Sequence, residues 1–185
     1  MRPLSFLLAC LLPLALPTHS RANEADPRRQ IGNVIDAFRT SIIAKDKARF
    51  VELFLHENIP WQDVTSEPEL QRMRRQRPDA RKVAFDPKDT WRAFIDDIVA
   101  DTERTEETFR NIRIDTDGDV AAVWFDYSFH AGGRETNHGR EAWQLVNTDD
   151  GWKIISVIYS VNRIAQTRPQ AVPDEVAVPL DGSGR

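Results

Sequence analysis

Tyr127, Glu141 and Tyr159 are the residues of this sequence that, brought together, could do chemistry. They are predicted to meet by strand register. If the Asp149-Asp150-Gly151 turn is a three-residue hairpin loop, Trp143 opposes Val157, Leu145 opposes Ile155 and Glu141 opposes Tyr159. If Phe125 opposes Trp143 in the preceding hairpin, one face collects Val123, Phe125, Tyr127, Phe129, Glu141, Trp143, Leu145, Ile155, Val157 and Tyr159. The other face collects Trp124, Asp126, Ser128, Ala142, Gln144, Val146, Ile154, Ser156 and Ile158. The first face is the more apolar and is predicted to look inward, with Glu141 as its only carboxylate. A one-residue slip would reverse the assignment on a strand. A carboxylate in an apolar cavity has its pKa raised by desolvation and can serve as acid or base. A tyrosine beside it can donate to a developing oxyanion. The plainer alternative is a Glu141 near the strand end that pairs with an arginine and does nothing more.

Asp63, close to Trp61 on a short strand-like segment, is a second candidate acid or base; the alternative is a surface aspartate in a turn. His130 and His138 flank one hairpin loop, but a metal site needs three or four convergent ligands and no H-x-x-x-H spacing is present, so no metal is predicted. Asp115-Thr116-Asp117-Gly118-Asp119 lacks the downstream glutamate and flanking helices of a calcium loop, and a hairpin turn accounts for it. There is no glycine-rich phosphate loop and no G-x-S-x-G elbow, and no cofactor is predicted.

The elements that must position these residues follow from hydrophobic period. Ile31, Val34, Ile35, Phe38, Ile42 and Ile43 make one helical face over Pro27–Ala44, with Asp26 as N-cap and Pro27 at the first helical position. A short helix is predicted over Asp46–Leu55 and a strand over Ile59–Thr65, confined to an edge or a strand start by Pro60. Ser66–Asp86, with six Arg or Lys between Arg72 and Lys82, shows no period and is read as a solvated loop; a basic lid over an anionic ligand is the sharper alternative. A helix is predicted from Asp86-Pro87 to Thr102, its face made by Trp91, Phe94, Ile95, Ile98 and Val99. Four strands then follow: Glu106–Asp115, Val120–His130, His138–Thr148 and Trp152–Val161.

The N-terminus has the pattern of a cleavable signal peptide over residues 1–22. Arg2 supplies the positive charge, Leu4–Leu16 is an apolar run too short to span a bilayer, and Ser20 and Ala22 are the small residues before the expected cut. A periplasmic or secreted location is therefore expected. Cys10, the single cysteine, leaves with that segment, so neither a disulfide nor a thiolate site is expected in the mature chain. One domain is predicted over 28–163, and a disordered tail over 164–185, rich in proline and glycine. The net charge of −4 argues against nucleic acid as a partner, and no later apolar stretch is long enough to span a membrane.

The order of two helices, a short strand, a loop, a helix and a four-stranded meander resembles the nuclear transport factor 2-like, or SnoaL-like, superfamily. Gly118-Asp119-Val120-Ala121 looks like that family's penultimate hairpin, and Asp150-Gly151-Trp152-Lys153-Ile154-Ile155 with Tyr159-Ser160 looks like its final strand. The resemblance implies an α+β, cone-shaped fold, with a curved, mainly antiparallel sheet wrapped around N-terminal helices and a pocket at the open end. Early acidic residues such as Asp63 act as bases in some relatives, though the spacing here does not carry that role over. The superfold hosts enzymes, binding proteins and assembly modules, so function rests on the site. The aromatic inward face predicts a pocket for a small apolar or aromatic molecule, lined by Trp61, Trp91, Phe94, Tyr127, Trp143 and Tyr159. The alternatives are an isomerase, cyclase or hydrolase using Glu141 or Asp63, and an interaction module of the cell envelope. Relatives commonly dimerise through the outer sheet face. With Trp124, Val146, Ile154 and Ile158 placed there, a homodimer is expected.

Overall fold

Asp26 opens the first helix, α1 (Pro27–Ala44), its side chain accepting a hydrogen bond from the Arg28 amide at 3.0 Å. The structure is a computed structural model that describes residues 26–164; the predicted signal peptide and residues 165–185 of the predicted tail lie outside the described residues. Ile31, Ile35, Phe38 and Ile42 are the buried stripe of α1, as the spacing requires. The helix ends at Lys45, which takes a left-handed conformation (φ 55°) and returns its amide to the Ile42 carbonyl.

Helix α2 (Lys47–Val51) stops four residues before its predicted end. The backbone from Leu53 to Leu55 bonds instead to Ile154: the Ile154 amide donates to the Leu53 carbonyl at 2.8 Å, and the Leu55 amide donates to the Ile154 carbonyl at 3.1 Å. Strand β1 (Trp61–Thr65) follows Pro60 and sits at a sheet edge.

Residues 66–86 correct the predicted loop. Helix α3 (Glu67–Gln76) occupies its first half. Ser66 caps it by accepting from the Glu69 amide at 3.3 Å, and Leu70 is buried. Two of its arginines are tied, Arg72 to Glu69 and to the Arg163 carbonyl, and Arg74 Nε to the Ala80 carbonyl. Helix α4 (Trp91–Ala100) starts later than predicted. Thr90, accepting from the Ala93 amide at 3.1 Å, is its cap, and Asp86 closes a separate turn on Lys88 and Asp89.

Strands β2 (Thr105–Thr116), β3 (Val120–Ala131), β4 (Arg134–Thr148) and β5 (Gly151–Arg163) form the antiparallel meander, and β1 adds parallel to β5, giving the order β1-β5-β4-β3-β2. The result is an α+β cone: a curved, open sheet wrapped around the N-terminal helices. The predicted loop 131–137 shrinks to a tight turn, because Gly132 and Gly133 both take positive φ (58° and 78°) and let β4 begin at Arg134.

The register matches the expectation at Trp143↔Val157 and Glu141↔Tyr159. In the β3–β4 hairpin Phe125 opposes Glu141, and Val123 opposes Trp143. That is a shift of two residues, which leaves each side chain on its predicted face. On β5 the expectation fails at one point. A bulge between Gln144 and Leu145 pairs Leu145 with Ile154, so Ile154 points inward and is fully buried, and Ile155 leaves the core. Phe38 lies at the centre of the core, its ring 4.7 Å from Phe50 and 4.8 Å from Trp143.

Candidate active site

The wide end of the cone holds a cavity of about 290 Å³. Its wall is a chain of aromatic contacts. Phe129 meets Phe94 at 6.0 Å, Phe94 meets Trp61 at 5.2 Å, Trp61 meets Tyr159 at 5.8 Å, and Tyr159 meets Tyr127 at 6.1 Å, three of the four being edge-to-face. Three strands, β1, β3 and β5, and helix α4 contribute to this wall, so it exists only in the assembled fold.

Two carboxyl groups lie within it. Glu107 on β2 and Glu141 on β4 line the cavity, are 3 % and 4 % exposed, and are hydrogen-bonded to each other. Burial raises the pKa of both. Glu107 is pushed well above the ordinary carboxyl value by desolvation, by the charge of Glu141 and by the hydrogen bond between them. Glu141 is pushed up to about 7 by desolvation, opposed by the Trp143 indole N–H, which donates to its Oε2 at 2.7 Å, and by the bond from Glu107. Glu107 is therefore the protonated donor and Glu141 the acceptor of the pair. Tyr127 and Tyr159 have their phenol pKa values raised, first by burial and then by neighbouring carboxylates, so both stay protonated. Tyr127 Oη donates to the Ser160 carbonyl at 3.1 Å.

Of the candidate residues, Trp61, Phe94, Tyr127, Glu141 and Tyr159 line this cavity together. Trp143 lies beneath it as the donor to Glu141 rather than on its lining. Trp91 is buried elsewhere, stacked 4.3 Å from Phe54 with its indole N–H on the Glu57 carbonyl. Asp63 is paired with Tyr159 in the sheet but does not line the cavity; it accepts from Gln62 Nε2 at 3.4 Å and contributes, after desolvation, to raising the pKa of Asp89. None of the arginines of 72–81 lines the cavity, whose cationic side chain among the described residues is Arg163.

Glu107 is the residue that the sequence reading missed, and Glu141 is not the only carboxylate of its face. The signal was present in β2: Glu107 and Phe109 alternate with Thr105 as an inward set. The spacing from Phe109 to Ile112 and Ile114 then breaks step, because the register shifts between Arg110 and Arg113 around Asn111, which has φ 56°. Without that bulge in view, β2 could not be placed against β3.

Among the described residues no group of three or more His, Cys, Asp or Glu is placed to hold a metal ion, and no helix is long and apolar enough to cross a membrane.

The model of the SnoaL-like domain family matches residues 78–163. No curated protein matches the chain. Solved structures with a similar fold include a nuclear transport factor 2-like superfamily protein from Salmonella enterica serovar Typhimurium (17 % identity, 79 % of this chain and 96 % of that one, TM-score 0.50). An NTF2-like protein with a cystatin-like fold from Novosphingobium aromaticivorans is similar at 12 % identity, over 80 % and 92 % of the two chains, with TM-score 0.52. A protein of the same organism, provisionally described as a scytalone dehydratase, is similar at 15 % identity, over 78 % and 88 %, with TM-score 0.51. These identities speak for the fold.

Proposed function

We propose that this chain, which has the SnoaL-like fold of the nuclear transport factor 2-like superfamily, binds a small molecule with an apolar or aromatic body in the cone cavity. The observation that carries this reading is the aromatic wall of Trp61, Phe94, Phe129, Tyr127 and Tyr159 lining one cavity with a hydrogen-bonded pair of buried carboxyls. Small-molecule sites combine apolar walls with a few placed polar groups in volumes of roughly 300–1,000 Å³, and a cavity of about 290 Å³ lies just under the small end of that range. A thermal-shift screen of the purified protein against a library of small aromatic and alicyclic metabolites tests it. Ligands that raise the midpoint, and lose the effect in Trp61→Ala and Phe94→Ala, are the expected result. A library without a single stabilising ligand would count against the site.

A second reading, that the bound molecule is also turned over, is favoured by the state of the pair. With Glu141 poised near neutrality and Glu107 protonated beside it, one site offers a base and an acid at the same pH. Such a pair suits an isomerase, cyclase or hydrolase working by proton transfer, with Tyr159 within the same cavity as a hydroxyl donor. Export to the periplasm or outside the cell belongs to the same proposal and rests on Arg2, the Leu4–Leu16 run and Ala22. So does a homodimer through the outer face of the sheet, where Trp124 and Ile158 are exposed.

A further inference from the structure

Thr105 opens β2 at the cavity, is 3 % exposed, and its Oγ1 has no hydrogen-bond partner. Buried hydroxyls are nearly always bonded, so an orphan on a residue that lines a cavity calls for a partner, such as a ligand group, from outside the fold. Glu107 lies two residues on and on the same strand face, about 7 Å along β2. Both side chains line the same cavity.

The charge on the cavity lining is mainly acidic: Glu107, Glu141, Asp97 and Asp101 stand against the one guanidinium of Arg163. Three donors are committed, the Trp143 indole to Glu141, the Tyr127 hydroxyl to Ser160 and Glu107 to its partner, which leaves the Tyr159 hydroxyl beside the acidic groups. At the mouth, Asp97 and Asp101 add two exposed carboxylates. The opposing charge is Arg163 at the rim, whose field reaches Asp89 and Tyr127. The faces of Trp61 and Phe94 carry the negative side of the aromatic quadrupole, which attracts cations.

We infer that the ligand is a small organic cation, a protonated amine on an apolar or aromatic body, whose ammonium donates to Thr105 Oγ1 and to the Glu107–Glu141 pair. This inference rests on the cavity being the ligand site. The amine satisfies the orphan hydroxyl, and its charge favours the ionised form of Glu141. An anionic ligand would meet the carboxylates of the mouth and floor, and a neutral one would forgo the charge-assisted bonds.

The test is isothermal titration at pH 7.5 with three probes that share one body: 2-phenylethylamine, 2-phenylethanol and phenylacetate. The amine is expected to bind about tenfold or more tighter than the alcohol, with phenylacetate weakest. Thr105→Val should remove most of the amine's advantage, and Thr105→Ser should keep it. Because Thr105 Oγ1 bonds to nothing in the fold, both variants should retain the wild-type melting temperature. An alcohol that binds as well as the amine, a tighter phenylacetate, or a Thr105→Val variant with an unchanged amine-to-alcohol ratio would overturn the cation and leave the cavity as a ligand site. Failure of all three probes would also overturn the cation. If the metabolite screen then gave no stabilising ligand, the cavity reading would fall with it.

Discussion

Glu107 and Glu141 meet although their strands are not neighbours. Strand β3 runs between β2 and β4, with Phe129 paired to Glu107 and Phe125 paired to Glu141, so the two carboxyls lie diagonally across Tyr127. Tyr127 packs over Gly139 and donates to the Ser160 carbonyl, which carries its ring toward β5 and away from β2. The carboxyl pair therefore depends on where one tyrosine leans.

The pair makes stability depend on pH in an uncommon direction. Glu141 titrates near 4.5 when unfolded and at about 7 in the fold, and burial and the charge of Glu141 raise Glu107 well above its ordinary value too. Above pH 4.5 the native state holds more protons than the unfolded chain, so stability falls as pH rises through 7. Glu141 alone accounts for about 3 kcal/mol of that fall at roughly 1.4 kcal/mol per pH unit. Urea denaturation at pH 5, 6, 7 and 8 should show it, and Glu107→Gln should flatten the curve. Stability that rises over this range would refute the assignment.

Gly139 should not tolerate a side chain. A Cβ there would stand 1.8 Å from the Ser160 carbonyl oxygen and 2.9 Å from the Tyr127 ring, and backbone cannot yield as a flexible side chain can. Gly139→Ala is expected to cost about 3 kcal/mol or more and to release Tyr127. Gly32→Ala is the control: a Cβ in that position of α1 meets nothing within 4 Å, and the change should stabilise the helix by up to about 1 kcal/mol. Thermal denaturation of the two variants reads both effects.

Much of this site could be read in advance where local pattern alone decides. Helix α1 was legible because Asp26, Pro27 and the Ile31-to-Ile42 stripe agree with one another. The inward face of β3 and β4 was legible because a register error of two residues leaves parity intact. Ile154 was not, since the bulge at Gln144/Leu145 reverses parity and no residue there announces it. Glu107 was hidden in the same way by Asn111. Helix α3 was hidden by its arginines. Ser66 and Glu69 have the spacing of a capping box, but a helix with Leu70 as its buried apolar residue has almost no stripe to detect.

That helix should be sensitive at its cap. Ser66 accepts from the Glu69 amide and also hydrogen-bonds Asn162 on β5, so it ties α3 to the sheet. Ser66→Ala is expected to cost about 1 kcal/mol and to speed amide exchange through Leu70–Gln76 while α1 remains protected. Uniform exchange rates in the variant and the wild type would show that the cap contributes nothing.

The outer face of the sheet gives the most exposed prediction. Trp124, Ala142 and Ile158 lie in register across β3, β4 and β5, and Trp124 and Ile158 are 49 % and 46 % exposed. Val120, opposite Val146, extends the apolar strip toward the hairpin end. Ile154, once expected there, belongs to the core, so the strip is narrower than the sequence suggested. A row of apolar side chains on a face that should be polar is the surface a two-fold partner would cover, each copy presenting the same strip. Trp124→Glu would then place two carboxylates in one dry interface, at a cost of roughly several kcal/mol. Sedimentation velocity should find the wild type as a dimer and Trp124→Glu as a folded monomer with unchanged circular dichroism. A wild type that stays monomeric at hundreds of micromolar would leave this face uncovered by a second copy, whatever the cone cavity binds.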